Sequence, residues 1–393
     1  MRQQRAELYL ILGALTAFAP LSIDMYLPAL PTLERAFAAS TDAVQRTLAS
    51  FFLGFALGQA TYGPVADRFG RKPPLYFGLG LFVAASVGCA LAPSVEALTV
   101  LRFVQAVGAC SGMVIARAMV RDLFDPQDAA RVYSSLMLVT GVAPILAPIA
   151  GGVVLARLGW AAIFWTLALL GVAALVATHL RLPESHRGDP SQPLALGRSL
   201  VAYGRILRDR RFVGYAAGGG VAMAGMFAYI AGSPFVFIDL HGVAAADYGW
   251  LFGLNAMGFV VAAQVNGRLL PRGAHDRALR VAGLVQAAAV VLLVAMAVTG
   301  SGGLAGLVVP IFVYVAALGF IMPNAAALAM APYGRAAGVA SALLGTLQFS
   351  LAAVASTAVG LLHDGTALPM AATMATCGLL ALLANRILVG RAA

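Results

Sequence analysis

Asp24 is the residue in this chain best placed to carry a proton. It stands in LSIDMYLPAL (residues 21–30), after a run from 8 to 23 that holds no charged side chain. Arg102 is its basic counterpart, alone in the apolar run around LRFVQAVGA (101–109). Charges kept from bulk water are costly, and those that persist pair, line wet cavities or serve ion pathways. A carboxyl so placed can bind and release H+ as its surroundings change, because lost hydration disfavours the carboxylate and a nearby guanidinium favours it. Other reactive constellations do not occur in the sequence. There is no H-E-x-x-H, no embedded Ser/His pair, no pair of catalytic carboxylates and no phosphate-cradling G-x-x-x-x-G-K-[ST] loop. Cys89, Cys110 and Cys377 are an odd, scattered set inside apolar runs, which argues against a disulfide framework or a metal centre. The chain is expected to be neither an enzyme nor a nucleotide-driven pump, and to need no cofactor and no metal.

The elements that hold these residues follow from composition. Of 393 residues, 61% are hydrophobic and 11% charged. A water-facing domain carries roughly 25% charged residues, so the solvent of this chain is a lipid bilayer. A crossing helix needs about 20 mainly apolar residues. Twelve such runs are read at 8–30, 43–65, 74–92, 95–120, 132–156, 160–180, 212–238, 247–270, 278–299, 303–329, 336–362 and 367–388. With the N-terminus inside, all 26 Lys and Arg but Arg35, Arg46, Arg157 and Arg102 fall in the even-numbered gaps and the two tails. Positive charge marks the cytoplasmic side, so both termini are placed there. The net charge of +10 therefore reads as topology, and nucleic acid is not an expected partner. The start MRQQRAELYLILGALTAFAP is basic, but its apolar run continues past a short cleavable signal core.

The longest polar stretch, 181–211, follows span six. Its first half is rich in Pro, Ser and Gly, as a linker is. Its second half, with Leu194, Leu196, Leu200, Ile206 and Leu207 among arginines, suits an amphipathic helix. The expected organisation is a six-helix bundle (1–180), a cytoplasmic linker (181–211) and a second six-helix bundle (212–393), with a cavity between the bundles. Internal similarity is faint: NGRLLPRG after span eight loosely echoes GPVADRFGRK after span two.

GPVADRFGRKPPL (63–75) is the most specific motif. Gly63 and Gly70 permit tight turns, Asp67 can accept from a helix N-terminus or an arginine, and Arg68, Arg71 and Lys72 suit an anionic leaflet. The motif closely resembles the loop-2/3 signature of the major facilitator superfamily. That resemblance implies an all-α membrane protein of 12 transmembrane helices in two six-helix bundles around a central cavity, with this loop, joined by Arg117, as a cytoplasmic latch between the halves. LRFVQAVGA resembles the span-four motif with its embedded arginine. GVAPILAPIAGG (141–152) resembles the span-five antiporter motif, carried here by Gly141, Pro144, Ala147, Pro148, Gly151 and Gly152. DMYLPALP resembles the bicyclomycin/chloramphenicol-resistance (Bcr/CflA) branch of drug:proton antiporters. Two departures stand out. The usual Gly-Pro of span five is Ala147-Pro148, a small-for-small change. Thr16 stands where a related transporter type has a second acid, so two-carboxylate coupling schemes do not carry over.

At 1.5 Å per residue, Asp24 lies about 24 Å up span one and Arg102 about 10 Å below the outer face in span four. Similar depth makes them the expected proton-coupling pair. Two other readings stay open: a static structural pair, or an Arg102 that bonds span-one backbone near Pro20 or Pro28, since Pro28 frees a carbonyl. Gln105 suits either a cavity wall or a helix–helix bond. A drug pocket, mostly apolar with a few polar groups, is expected from Asp24, Tyr26, Phe51, Phe55, Gln59, Arg102, Gln105, Met223, Met226, Phe227, Tyr229, Asn255, Asn324 and Gln348, with Phe320 nearby. The expected function is proton-coupled export of small amphipathic drugs, with drug and protons as the partners of a monomer in a bacterial inner membrane. A symporter or metabolite exporter of the same fold is the alternative.

Overall fold

A computed structural model describes residues 2–188, 196–269 and 275–389. Residues 189–195, including Leu194 of the expected linker helix, and 270–274, including Arg272, lie outside the described residues. Among the described residues there is no β-strand. The α-helices are α1 (Arg2–Asp24), α2 (Leu30–Phe37), α3 (Thr41–Phe69), α4 (Lys72–Ala90), α5 (Val95–Leu123), α6 (Pro126–Leu158) and α7 (Trp160–Arg181). After the linker come α8 (Leu196–Ile206), α9 (Arg210–Pro234), α10 (Ala245–Leu269), α11 (His275–Thr299), α12 (Gly303–Met330), α13 (Ala337–Leu361) and α14 (Leu368–Ala384).

Helix starts follow local chemistry. Ser40 and Ser94 accept from the amides of Ala43 and Ala97 at 3.3 and 3.2 Å, the usual hydroxyl cap. Asp209 caps α9 through the amides of Arg211 and Phe212 and accepts the Tyr333 hydroxyl at 2.6 Å. The Tyr333 bond, with those caps, holds the Asp209 carboxyl below the usual carboxylate range.

Among the described residues, eleven helical segments are long and apolar enough to cross a membrane. Span one is among them but is not continuous: α1 and α2 share it, with a break between. The remaining span, α3, is 29 residues long. It carries Gln45, Thr47, Ser50, Gln59 and Thr61, which lower its apolarity. Its long packing seams with α5 and α13 explain that composition, since an interior helix meets protein on several sides and can keep polar groups that find partners. Outward-facing helices are apolar instead, as exposed Leu10, Phe77, Val100, Leu169, Val291 and Val354 show. The fold is thus a multi-pass, all-α membrane protein.

The linker helix α8 packs on α3 and α13. Tyr203 and Ile206 are buried there while Leu200, Val201 and Leu207 are exposed, so this amphipathic helix is seated on protein along one side.

Helices before and after the linker meet along two seams, α3 with α13 and α6 with α10. A cavity of about 840 Å3 opens between them at the face that carries the α3–α4 loop and the linker. We call this the basic face. On the opposite face the halves are tied together: Gln45 of α3 donates to the Ala231 carbonyl of α9 at 3.2 Å, and Gly360 of α13 abuts Asp42 and Gln45.

Candidate functional site

The site is built on the break in span one. Pro28 has no N–H for the Asp24 carbonyl four residues back, and Pro31 has none for Leu27. The chain responds with a 3-10 turn over Leu27–Ala29, closed by Ala29 N to Tyr26 O at 3.0 Å, and resumes as α2. Asp24 ends α1 at 4% exposure, and Tyr26, two residues on, is fully buried. The two face different partners.

Tyr26 faces helices of its own half. Its hydroxyl shares a 2.7 Å hydrogen bond with Thr47 of α3, and its ring lies 4.5 Å from the Arg102 guanidinium carbon. Arg102 is wholly buried. Phe51 of α3 lies 4.4 Å from the same carbon and Phe164 of α7 5.9 Å, so the cation sits in an aromatic cage. Its Nη1 donates to Gln105 Oε1 at 2.6 Å, Gln105 Nε2 donates to Ser86 Oγ at 2.8 Å, and Ser86 donates to the Phe82 carbonyl at 2.7 Å. Gln105 is therefore a relay from α5 to α4, and Arg102 joins four helical segments around itself. The expected electrostatic pairing of Asp24 with Arg102 is corrected here. The two form no ion pair, and Tyr26 and Cys89 are in electrostatic range of Arg102. Arg102 also makes no hydrogen bond to span-one backbone among the described residues. The proline break sets Tyr26, and not Asp24, against Arg102.

Asp24 is instead in electrostatic range of Tyr229 and Tyr248 of the second half. Asn255 donates to the Tyr229 hydroxyl at 3.0 Å, and the Ser233 and Tyr248 hydroxyls share a 2.8 Å bond. Phe252 stacks on Tyr229 with centroids 5.5 Å apart and lies 5.9 Å from Tyr248. Of this group the sequence reading named Tyr229 and Asn255 and missed Ser233, Tyr248 and Phe252. A signal was there. Tyr229 and Ser233 are one turn apart on α9, while Tyr248, Phe252 and Asn255 fall at i, i+4 and i+7 on α10, one face of each helix.

Span five supplies the third wall. A Cβ on Gly151 would overlap the Met25 carbonyl, next to Asp24, and one on Gly152 would lie 2.8 Å from the Ala245 carbonyl. From the other side Gly249 of α10 lies against Ile149 backbone. Ala147 and Pro148 are buried, Pro144 is half-buried, and Gly141 meets the Val260 side chain of α10. The motif therefore packs α6 onto both the span-one break and α10.

The other expected pocket residues divide. Gln59 lines the basic-face cavity, whose lining includes none of the rest of that set. Phe55 and Phe227 join Phe52 and Phe349 in an aromatic cluster across α3, α9 and α13, with centroids 4.4 to 6.5 Å apart. Met223, Met226 and Gln348 are half-buried, Gln348 beside Gly220 of α9. Asn324 is corrected from pocket to structural bond. It donates to Asn266 Oδ1 at 2.8 Å and to the Phe320 carbonyl, and meets His275 at 2.6 Å, tying α10, α11 and α12 together. Most of the proposed binding surface is packed shut in this conformation.

The loop expected to latch the halves is tied to α5 and the linker through Asp67, Arg71 and Lys72. Arg71 Nη1 donates to Asp67 at 2.7 Å and Nε to Asp122 of α5 at 2.8 Å. Glu184 of the linker accepts from the amides of Arg71 and Lys72 at 2.8 and 2.9 Å, and Lys72 Nζ donates to the Leu182 carbonyl. Gly70, at φ +88°, abuts His186 and Glu184, a conformation that favours glycine. Gly63 has open space around it. Arg68 and Arg117 line the cavity. Among the described residues, the contacts of Asp67, Arg71 and Lys72 thus bind loop to α5 and linker. Glu184 acts as the cap that α4 lacks in its own sequence. Glu184→Ala is expected to cost about 1 kcal/mol and to speed hydrogen exchange at the Arg71 and Lys72 amides. Unchanged exchange there would show that the cap contributes nothing.

A model of the Major Facilitator Superfamily matches residues 12–357. The chain belongs to the Major Facilitator Superfamily. Among its relatives, an uncharacterized MFS-type transporter, YdgK, of Bacillus subtilis is 37% identical over 374 residues, covering 95% of this chain and 92% of that one. A bicyclomycin resistance protein homolog of Haemophilus influenzae is 31% identical, with 100% and 98% covered. A chloramphenicol resistance protein of Pseudomonas aeruginosa is 29% identical, with 94% and 87% covered. The fold is shared with a D-xylose-proton symporter (TM-score 0.73, 17% identity, 97% of this chain and 96% of that one). It is shared too with an inward-facing bacterial homolog of the lysosomal transporter Spinster (TM-score 0.71, 16% identity, 99% and 95% covered). This is a non-enzymatic membrane transporter of small molecules, with relatives named as drug-resistance proteins.

Proposed function

We propose that this transporter exports small amphipathic drugs in exchange for protons, by alternating access of residues 1–180 and 212–393 about the linker 181–211. The observation that carries the reading is the placement of Asp24. A lone carboxyl at a helix break, against the glycine seam of α6 and facing the phenols of α9 and α10, changes its surroundings whenever the two halves rock apart. The names of the relatives supply the substrate class. Basic residues concentrate on the face that bears the cavity, so that face is the cytoplasmic one, both termini lie there, and the bacterial inner membrane is the site of action of a single chain. The conformation described here is then open to the cytoplasm, with the halves tied together outside.

Cytoplasmic drug enters from the basic face while Asp24 is charged. Rocking opens Asp24 to the outside, where the drug leaves and H+ then neutralises the carboxylate. The return carries the proton inward, driven by about 2.3 kcal/mol per charge per 100 mV of membrane potential in addition to the pH gradient. Arg102, caged among Tyr26, Phe51 and Phe164, holds the Tyr26 end of the break in place, so its part is to position Asp24 and not to exchange protons with it.

The test is a resistance profile in a pump-deficient host, followed by drug flux in proteoliposomes under an imposed pH gradient. Raised tolerance with flux that follows the gradient is the expected result. Tolerance unchanged or lowered, with drug moving alongside the proton, would replace export by symport.

A further inference from the structure

The cavity on the basic face carries a feature that the proton pathway does not use. Arg117 and Arg121 stand one turn apart on α5, both exposed and both in the cavity wall. Like charges at this spacing repel and disfavour the helix. Neither has an ion-pair partner among the described residues. The contrast with Arg71 is direct, since that guanidinium is met by Asp67 and Asp122. Both arginines are in electrostatic range of Tyr133 of α6, whose hydroxyl donates to the Arg117 carbonyl at 2.8 Å. Tyr203 of α8 lines the same cavity. Arg121 Nη1 also approaches Gly338 of α13, 3.8 Å from where a Cβ would stand, so this guanidinium sits between the two halves. The carboxylate in the lining, Asp67, is bound by Arg71.

We propose that Arg117, Arg121 and Tyr133 form a subsite for the anionic group of the transported molecule. The transporter then takes aromatic or otherwise amphipathic solutes that are neutral or carry a carboxylate or similar anion, and it discriminates against lipophilic cations. Guanidinium groups pair with carboxylates in a planar, two-point geometry. A cleft lined by one sign of charge between low-dielectric walls concentrates the opposite sign. An anion bound here relieves the repulsion within α5 and, through Arg121, touches both moving halves. This selectivity rests on the export reading for its direction of transport, but binding at the cavity does not depend on that direction.

The experiment is equilibrium binding to the purified full-length chain in nanodiscs of phosphatidylcholine, with three probes of one shape: 2-naphthoate, 2-naphthamide and 2-naphthylmethylammonium. Naphthoate is expected to bind about tenfold tighter than the ammonium probe. Raising salt should erode that preference, as it does for exposed charges. The double change Arg117→Gln with Arg121→Gln should bring the two probes to within about twofold of each other while naphthamide binding stays constant. Arg117→Lys with Arg121→Lys should restore most of the preference. An ammonium probe that binds as well as naphthoate, or a preference that survives the double Gln change, overturns the proposal. So does displacement of naphthoate by phosphatidylglycerol in the disc, which would assign the site to a lipid headgroup. Because these readouts need no flux, a failure of proton-coupled export in the preceding test leaves them standing, and the reverse also holds.

Discussion

Asp24→Asn is expected to abolish drug flux driven by a pH gradient while leaving the protein folded and able to bind drug. The substitution keeps shape and removes titration. A carboxylate at 4% exposure has lost most of its water, and neutral replacement removes that penalty. Thermal stability should therefore be equal or higher, which separates loss of coupling from loss of fold. Binding survives because the polar cluster of Tyr229, Ser233, Tyr248 and Asn255 is intact and the amide can hydrogen-bond to it. Gradient-driven export should fall at least about a hundredfold, since a group that no longer titrates cannot bias the two conformations, and only a differential of a few kcal/mol between protonation states can do so. Energy-independent exchange of drug for drug should persist. Coupled flux at the native rate in this variant would remove Asp24 from the mechanism. The sign of the pH response follows too: in the native protein, acidifying the outside should accelerate export, and in the variant it should not.

What the sequence disclosed and what it hid have physical causes. Asp24 and Arg102 were visible because a charge inside an apolar run stands out whatever the fold. Helical rise gives an expected depth for each. It does not give their directions, because azimuth depends on how the chain turns at Pro28, and a short 3-10 turn sends Asp24 and Tyr26 to different helices. The second half of the site was only partly legible. Tyr229 and Asn255 stand out as polar groups in apolar runs, but Tyr248 and Phe252 read as ordinary span residues until α9 and α10 are seen to face each other. α3 shows the opposite effect: its polar residues depress its apolarity because it is interior, so a surface-based measure undervalues the helix with some of the longest packing seams. The loop motif was recognisable by spacing, yet its partner Glu184 was out of reach, since a carboxylate 113 positions away in a linker has no local pattern that marks it as a helix cap.

The second large effect is steric. Gly151→Val is expected to stop transport, and Gly151→Ala to lower thermal stability by about 1–3 kcal/mol. The added Cβ would overlap the Met25 carbonyl, and backbone in a broken, proline-flanked segment has no rotamer by which to yield. Either α6 moves off the break or the break moves off α6. Both widen the seam beside Asp24, and both let water reach a carboxyl whose use depends on controlled access. Gly141 is the internal comparison. The Cβ added there would meet the tip of Val260 at 3.2 Å, a side chain that can turn aside, so Gly141→Ala should cost well under half as much and keep most of the flux. If the two alanine variants behaved alike in melting temperature and in proton leak, close approach to the Met25 backbone would not be the reason for glycine at 151. If Gly151→Ala alone raised leak in drug-free vesicles, the small-residue stripe of α6 would be doing more than packing: its contact with the break would be what keeps the proton site dry between turns of the cycle.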